Sequence, residues 1–462
     1  MTNVNHRKVP RSSKPLAPRT SYPVPHVDRR KFLKSSTGSL AALSALSYAR
    51  AADAPSEKVT LALIGIGPAK SESIVNGRGR QLLGLFTSFN DVEIASICDP
   101  DENLFPSAQK VLTQRNRREA RVEKDIRRVL QDKTIDAVIV ATPDHWHALA
   151  TIWACQAGKH VFVEKPASHN LVEGRRMVEA ARKYNRVVQH GTQSRSSGSV
   201  GRAAELIRSG KLGKIPAARI WVAGARRSIG HVKDSDVPKG VDYDLWLGPA
   251  PRRPFNENRF HYRWHWMWDF GSGEIGNNGV HYLDRIRWLL NLDAPTRIVA
   301  SGGKLFYDDD QETPDTLTVS YDFPHCNVTW EHRIWSRGAN GTILYGERGN
   351  LIMDRHGWHV ENGIEAADKG DLDAAGMPDG SVHQRNFIDC IKNSSGTSVR
   401  RPNADIEEGH KSTRLCHLGN IAFRTGRAIR FDEKTETCIN DPEANRLLGR
   451  TYRKPFEVPE RV

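Results

Sequence analysis

A short β-branched run ending in glycines constrains this chain more than any other feature. From Val59 it reads Val-Thr-Leu-Ala-Leu-Ile and then Gly65-Ile66-Gly67, a buried strand delivered into a tight turn. Residues 68–76 interrupt the pattern before Gly77-Arg78-Gly79-Arg80-Gln81-Leu82-Leu83 opens a helix-like segment. With the interruption set aside, Gly65, Gly67 and Gly79 form a G-x-G-x-x-G series. Glycine there permits the turn, lets a pyrophosphate approach the backbone and lets the helix pack on the strand. A second strand-like run, 92–98, ends in Asp99, about 20 residues beyond Gly79, where an acid holds the 2′-hydroxyl of an adenosine ribose. An acid there favours NAD. A plain strand-ending turn is the alternative for Asp99, and a 2′-phosphate held by Arg78 or Arg80 keeps NADP open.

Further alternation follows: helix-like 123–130, strand 137–141, helix 148–157, strand 160–163, helix 171–184 and strand 187–189. Strands alternating with helices imply a doubly wound parallel sheet, so residues 56–195 are expected to form a Rossmann domain on five strands. Ligands of such sheets sit beyond the carboxyl ends of the strands, which aims Thr142-Pro143 and Glu164-Lys165-Pro166 at the cofactor crevice.

At 462 residues the chain is long enough for two domains, and its 38% hydrophobic and 26% charged content is that of a folded soluble protein. The formal charge of +14 is concentrated: residues 1–51 hold ten Lys/Arg against Asp28, a net +9, which leaves +5 elsewhere. With no basic motif interleaved with aromatics in that remainder, no nucleic-acid partner is expected. Arg29-Arg30-Lys31, a small and apolar stretch at 35–48 and Ala49-Arg50-Ala51 compose a twin-arginine signal behind an unstructured basic leader. The apolar stretch falls short of the about 20 residues that span a bilayer, so export by the twin-arginine machinery to the periplasm is expected, with no permanent anchor. Beyond the membrane there is no nicotinamide pool, and a nicotinamide enzyme working there has to hold its cofactor and regenerate it in place. The six cysteines are widely spaced, without a CxxC pair, and read as buried small residues.

Glu164-Lys165-Pro166, Thr142-Pro143-Asp144-His145-Trp146-His147 and the segment from Gly276-Asn277-Asn278-Gly279 through His281 to Asp284 together resemble the Gfo/Idh/MocA family, which includes glucose–fructose oxidoreductase and inositol dehydrogenase. The resemblance runs from about Lys58 to Arg430. It implies a second α+β domain, residues 196–430, in which a largely antiparallel open sheet packs beside the Rossmann domain. It also implies a sugar or cyclitol bound between the two and homo-oligomers that use the open sheet face. Strand-like runs at 217–222, 297–301, 316–321, 327–333 and 342–345 agree, with late helices at 386–391 and 413–425 and a tail at 431–462.

Oxidation of a secondary alcohol sends hydride to the nicotinamide and a proton to a base. Lys165 supplies charge to the developing alkoxide and His281 accepts the proton, so these two are the candidate catalytic residues. The family commonly carries an acid one helical turn before this histidine, but here Asn277 stands there and cannot take a proton. His281 then works alone, or with Asp284 one turn later. Cofactor contacts are assigned to Gly65, Ile66, Gly67, Gly79, Arg80, Asp99, Thr142, Pro143, His147, Glu164 and Lys165. Substrate contacts are assigned to Arg195, Arg259, His261, Trp264, Asn277 and His281. The aromatic stretch 261–269 is either a sugar-binding wall or a buried seam between domains. His261 and His265 have i, i+4 spacing without a supporting Glu motif, and no metal is expected. The expected activity is an NAD(P)-dependent oxidoreductase recycling a bound cofactor. The alternatives are a glycoside-cleaving or epimerising enzyme working through transient oxidation and a non-catalytic nucleotide sensor.

Overall fold

The computed structural model describes residues 58–68, 77–363, 369–370, 381–396 and 398–462. The twin-arginine segment and residues 69–76 of the interrupted glycine loop lie outside the described residues. Residues 58–462 form one compact unit.

Strands β1 (Val59–Ile64), β2 (Val92–Cys98), β3 (Arg121–Glu123), β4 (Ala137–Val140), β5 (His160–Val163) and β6 (Val188–His190) pair in parallel in the order β3-β2-β1-β4-β5-β6. The order reverses between β1 and β4, which opens a crevice at their carboxyl ends. Leu61, Ala62 and Leu63 on β1 and Val138, Ile139 and Val140 on β4 are fully buried. Burial on both faces is why these strands read as unbroken apolar runs rather than alternating ones. Helices α1 (Arg78–Phe86), α2 (Phe105–Thr113), α3 (Ile126–Gln131), α4 (Asp144–Gln156) and α5 (Leu171–Lys183) complete the domain.

Two expected boundaries shift for identifiable reasons. The helix read at 123–130 is a short strand followed by a helix: Arg121–Glu123 pairs with β2, and the Asp125 carboxylate accepts Arg127 N–H as the cap that starts α3. Helix α4 begins at Asp144 rather than 148, directly after Pro143, with an acid in its first turn.

The second sheet has ten strands: β7 (Ala217–Ala223), β8 (Arg297–Gly303), β9 (Thr316–Phe323), β10 (Cys326–Arg333), β11 (Gly341–Gly346), β12 (Gly349–Asp354), β13 (Gly357–Glu361), β14 (Lys369–Gly370), β15 (Ile429–Asp432) and β16 (Thr437–Cys438). Among the described residues only β7 and β10 pair in parallel; the other pairings are antiparallel. Leu317, Val319, Tyr321 and Phe323 alternate inward along β9. They meet α6 (Gly198–Arg208), α8 (Val280–Leu290) and α10 (Ile406–Thr425) in one core. The short helix α7 (Tyr243–Leu247) lies in the connection between β7 and α8.

Late parts of the chain return to the first domain. Helix α9 (Val382–Lys392) buries Phe387 and Ile388 in the Rossmann core, where Phe387 meets Phe86 and Phe162 edge to face. After α11 (Pro442–Arg446) the segment read as a tail is part of the fold: Phe456 and Val458 enter the core around α4, and the Phe456 ring packs 5.5 Å from that of Trp146. All six cysteines are buried and unpaired. Among the described residues no helix is long and apolar enough to cross a membrane.

Candidate active site

A cavity of about 520 Å³ opens at the carboxyl ends of β1, β4 and β5 and is closed on its far side by the second domain. Its floor is a glycine cradle. Gly65 and Gly67 hold φ of +86° and +72°, which side chains adopt only with strain. A Cβ on Gly65 would lie 2.7 Å from the Ala141 carbonyl, and one on Gly79 would lie 1.9 Å from the oxygen of Gly65, so α1 packs on the turn with no room for a side chain. These contacts, with the unpartnered and buried Thr142 Oγ1 in the cavity wall, fit a pyrophosphate and its attached ribose.

Asp99 accepts the N–H of Ile66 at 2.8 Å and that of Asp101 at 3.0 Å, so it braces the glycine turn while lining the cavity. Burial pushes its carboxyl up to about 6, against the lowering influence of those two N–H groups. Arg78 is engaged elsewhere: its Nε donates to Glu164 at 2.7 Å and its Nη1 to Gln81 at 3.0 Å. Neither Ile66, Gly79 nor Arg80 lines the cavity; each lies in or behind the cradle. His147 is also set back, its ring nitrogens 2.6 Å from the Pro166 oxygen and 2.9 Å from the Thr142 oxygen, tying the two strand-end loops together.

At the other end, Lys165 Nζ donates to both the backbone oxygen and Oδ1 of Asn277 at 2.8 Å. Burial lowers the Lys165 ammonium, with Glu164 and Asp144 pulling the other way. Burial would raise the Glu164 carboxyl, yet Arg78 and Lys165 outweigh it and hold Glu164 below the usual range. Asn277 sits in a π-helical turn, Ile275–Gly279, that runs directly into α8 and places His281 in the cavity wall. Burial, and then the Lys165 charge, drive the His281 imidazole well down, so it is neutral. Asn277 therefore spends its side-chain oxygen on Lys165, and Asp284 does not orient His281. Asp284 accepts Arg195 Nε at 2.8 Å and Ser412 Oγ at 2.6 Å.

The structure gathers Gly65, Gly67, Asp99, Thr142, Pro143, Glu164, Lys165, Asn277, His281, His261 and Trp264 around one cavity. Two substrate candidates fall outside it. Arg195 is a buried strut joining Asp284 and Glu408, and Arg259 faces Asp234 at 3.1 Å. His261 lines the cavity but at the Asp99 end, 3.2 Å from Asp101. The aromatic stretch divides between its two readings: Trp266, with Met267 and Phe270 beyond it, is packed in a buried cluster, while Tyr262, Trp264 and His265 face the cavity. Trp264 stacks on His265 at 3.6 Å between ring centres.

Sequence reasoning passed over Gln193, Arg226 and Asp144. Gln193 follows the last parallel strand, where ligands gather, and its Oε1 is buried in the cavity wall without a partner. Arg226 donates to Glu274 at 3.0 Å and to the Tyr262 hydroxyl at 2.8 Å, holding the aromatic wall. Asp144, inside a quoted motif, is raised to about 7 by burial and accepts Ser272 Oγ at 2.7 Å.

A Rossmann domain with a glycine cradle and Lys165 at a strand end, joined to an open-sheet domain that contributes Asn277 and His281, defines a two-domain dinucleotide-dependent oxidoreductase. The chain belongs to the Gfo/Idh/MocA oxidoreductase family: residues 59–192 match its NAD-binding Rossmann fold and residues 220–458 its C-terminal alpha/beta domain. Among its relatives, Glycosyl hydrolase family 109 protein 1 of Shewanella sp. (strain ANA-3) is 30% identical over 170 residues, 34% of this chain and 37% of the relative. Levoglucosan dehydrogenase of Pseudarthrobacter phenanthrenivorans is 27% identical over 190 residues, 39% of this chain and 42% of the relative. The chain thus spans well under half the length of these curated relatives. The crystal structure of the WlbA dehydrogenase from Bordetella pertussis, in complex with NADH and UDP-GlcNAcA, shares the fold with a TM-score of 0.60 at 20% identity, covering 81% of this chain and 99% of that one.

Proposed function

We propose that this protein oxidises a secondary hydroxyl of a sugar or cyclitol with NAD, as an exported enzyme that keeps its cofactor bound and recycles it between two substrates. The observation that carries the reading is the wall beyond the glycine cradle, in which Lys165 is pinned by Asn277 beside a neutral His281. The glycine cradle and Asp99 would hold NAD, which would supply the hydride acceptor for the reaction. Lys165 donates a hydrogen bond to the reacting oxygen and stabilises its developing negative charge, and His281 takes the hydroxyl proton. The stacked Trp264 and His265 offer an apolar face to a sugar ring. Asp99 at the ribose end supports NAD over NADP. Export rests on the Arg29-Arg30 signal, and a second copy is proposed to cover the sheet face that carries the half-exposed Tyr345.

The test begins with the mature chain, purified without nucleotide and then denatured, and asks whether stoichiometric NAD appears by mass spectrometry. The same protein is assayed for NAD reduction against a panel of sugars and cyclitols. A protein that releases no nucleotide and binds none when it is added ends this reading.

A second reading has its own support in the family 109 glycosyl hydrolase relatives: transient oxidation that activates elimination of a glycoside, with no net redox change. Incubation with a p-nitrophenyl glycoside and no external acceptor separates the two, since release of nitrophenol favours cleavage and its absence favours the dehydrogenase.

A further inference from the structure

The turn that carries Asp99 is gripped by the second domain. Asp101 and Val241 form an antiparallel bridge, Asp242 N–H donates to the Pro100 oxygen at 2.8 Å, and Glu102 N–H donates to the Gly240 oxygen at 3.2 Å. Asn103 Nδ2 reaches the Lys239 oxygen at 2.9 Å, and Lys124 Nζ reaches the Gly240 oxygen at 3.3 Å while pairing with Glu102 at 2.7 Å. The approach is close enough that a Cβ on Gly240, whose φ is +90°, would lie 2.9 Å from both Glu102 and Asn103. From the same domain His261, held in the left-handed region at φ +46°, places Nε2 3.2 Å from Asp101, whose N–H in turn donates to Asp99. A non-glycine residue kept in that region is strained, and such strain concentrates at ligand clamps.

The end of the cavity enclosed this way is lined by Asp99, Leu104 and Ile126 from the first domain and by Leu245, Trp246 and His261 from the second. It offers two apolar walls for a flat ring and a carboxylate for a pair of vicinal hydroxyls. That is the chemistry of a purine nucleoside. In a doubly wound domain by itself this subsite lies at the rim of the sheet, with the crevice open beside it. Here Leu245, Trp246 and His261 of the second domain stand beside it, and the strap at 239–242 holds that domain against the Asp99 turn.

We propose that the second domain completes and closes the adenosine subsite, with His261 and Leu245 as binding residues, so that NAD, once bound, dissociates slowly. The inference rests on the oxidoreductase reading and supplies a physical cause for the retained cofactor.

The experiment loads the whole mature protein with NADH, adds excess NAD, and follows the loss of bound-NADH fluorescence in wild type and in His261→Asn. Asparagine tolerates the left-handed backbone but is shorter than histidine. The variant is expected to release NADH about tenfold faster, the scale of one ordinary contact worth about 1.4 kcal/mol. Reduced nicotinamide mononucleotide, which has no adenosine, should leave both proteins at the same rate. Equal NADH release from the two proteins overturns the closure, and so does an equal acceleration of both nucleotides, which would mark general loosening. His261→Gln, longer and able to donate to Asp101, should fall between the two, and serves in place of His261→Asn if that variant melts early. A wild type that binds no NADH removes the oxidoreductase reading itself, an outcome distinct from a wild type that binds NADH and loses it as fast as the variant.

Discussion

Asp99 carries two jobs whose energies oppose each other, and replacing it with asparagine should separate them. Burial raises its carboxyl from 3.8 to about 6. A difference of about two units corresponds to roughly 3 kcal/mol in favour of the protonated form. Because the folded protein holds this proton more tightly than the unfolded chain, the stabilisation it gives is fully present below about pH 4. It is lost as the pH rises through about 6. At neutral pH the nucleotide-free fold therefore carries an ionised, buried Asp99 at a cost of roughly 3 kcal/mol. Asp99→Asn removes that cost but turns an amide toward the N–H of either Ile66 or Asp101, which should return about 1 kcal/mol.

The nucleotide-free Asp99→Asn protein is thus expected to be about 2 kcal/mol more stable than wild type at neutral pH and no more stable near pH 4. NAD binding should move in the opposite sense. Ribose hydroxyls donate to the ionised carboxylate, so wild-type affinity should fall about tenfold per pH unit below about 6 and stay level above it. The variant should bind weakly at every pH. Denaturant unfolding across the range, together with calorimetric titration of NAD, reads both effects. Wild-type affinity that is equal at about pH 5 and about pH 7.5 would refute the reasoning, as would an asparagine variant whose unfolding follows wild type throughout.

Lys165→Met should lower turnover by about 10²–10⁴-fold while released NAD stays stoichiometric, because the charge acts on the reacting oxygen rather than on the dinucleotide's phosphates; a turnover within twofold of wild type contradicts that role. Gly79→Ala drives a Cβ to 1.9 Å from the Gly65 oxygen, so α1 must shift off the turn; stability is expected to drop by about 1–3 kcal/mol and NAD affinity to fall with it, as thermal unfolding and titration would show. Phe456→Ala empties a site against Trp146 and Trp153 and should cost about 3 kcal/mol in denaturant unfolding, whereas a dispensable tail would leave the midpoint unmoved.

The parallel half of the fold was legible because strands buried on both faces write continuous apolar runs, and because glycines at positive φ mark the first turn. Elements that escaped detection lacked either signal. Helix α10 was read from residue 413 only, since its first half buries His410, Ser412, Thr413 and Arg414 against neighbouring elements and so hides the apolar period. Strand β3 is three residues long and mostly exposed, too short to alternate visibly. The C-terminal segment reads as polar because its arginines are spent on the molecule itself: Arg453 donates to Asp244 at 2.7 Å and to the Gly248 oxygen at 3.0 Å, while only Phe456 and Val458 among its last residues are buried apolar groups.

Residue type and local motif located the cradle and the Lys165–His281 wall, because each stands next to a strand end or on one face of a helix. Partnering across the domain interface could not be read that way. Arg195 and Asn277 are both polar residues near strand or helix ends, yet one is consumed by Asp284 and Glu408 and the other by Lys165. The difference depends on which opposing group arrives from more than 80 positions away in sequence, at separations of 89 for Arg195–Asp284 and 112 for Lys165–Asn277. His261 shows the same limit in its sharpest form. Its aromatic neighbours suggested a sugar wall, but a left-handed backbone at that residue turns it toward Asp101, and the residue joins the nucleotide end of the cavity instead of the reacting end. In the proposed reading a sugar is then left to meet Tyr262, Trp264 and His265, with Arg226 holding the tyrosine hydroxyl from behind. Loss of that support should therefore weaken sugar binding while leaving nucleotide binding intact.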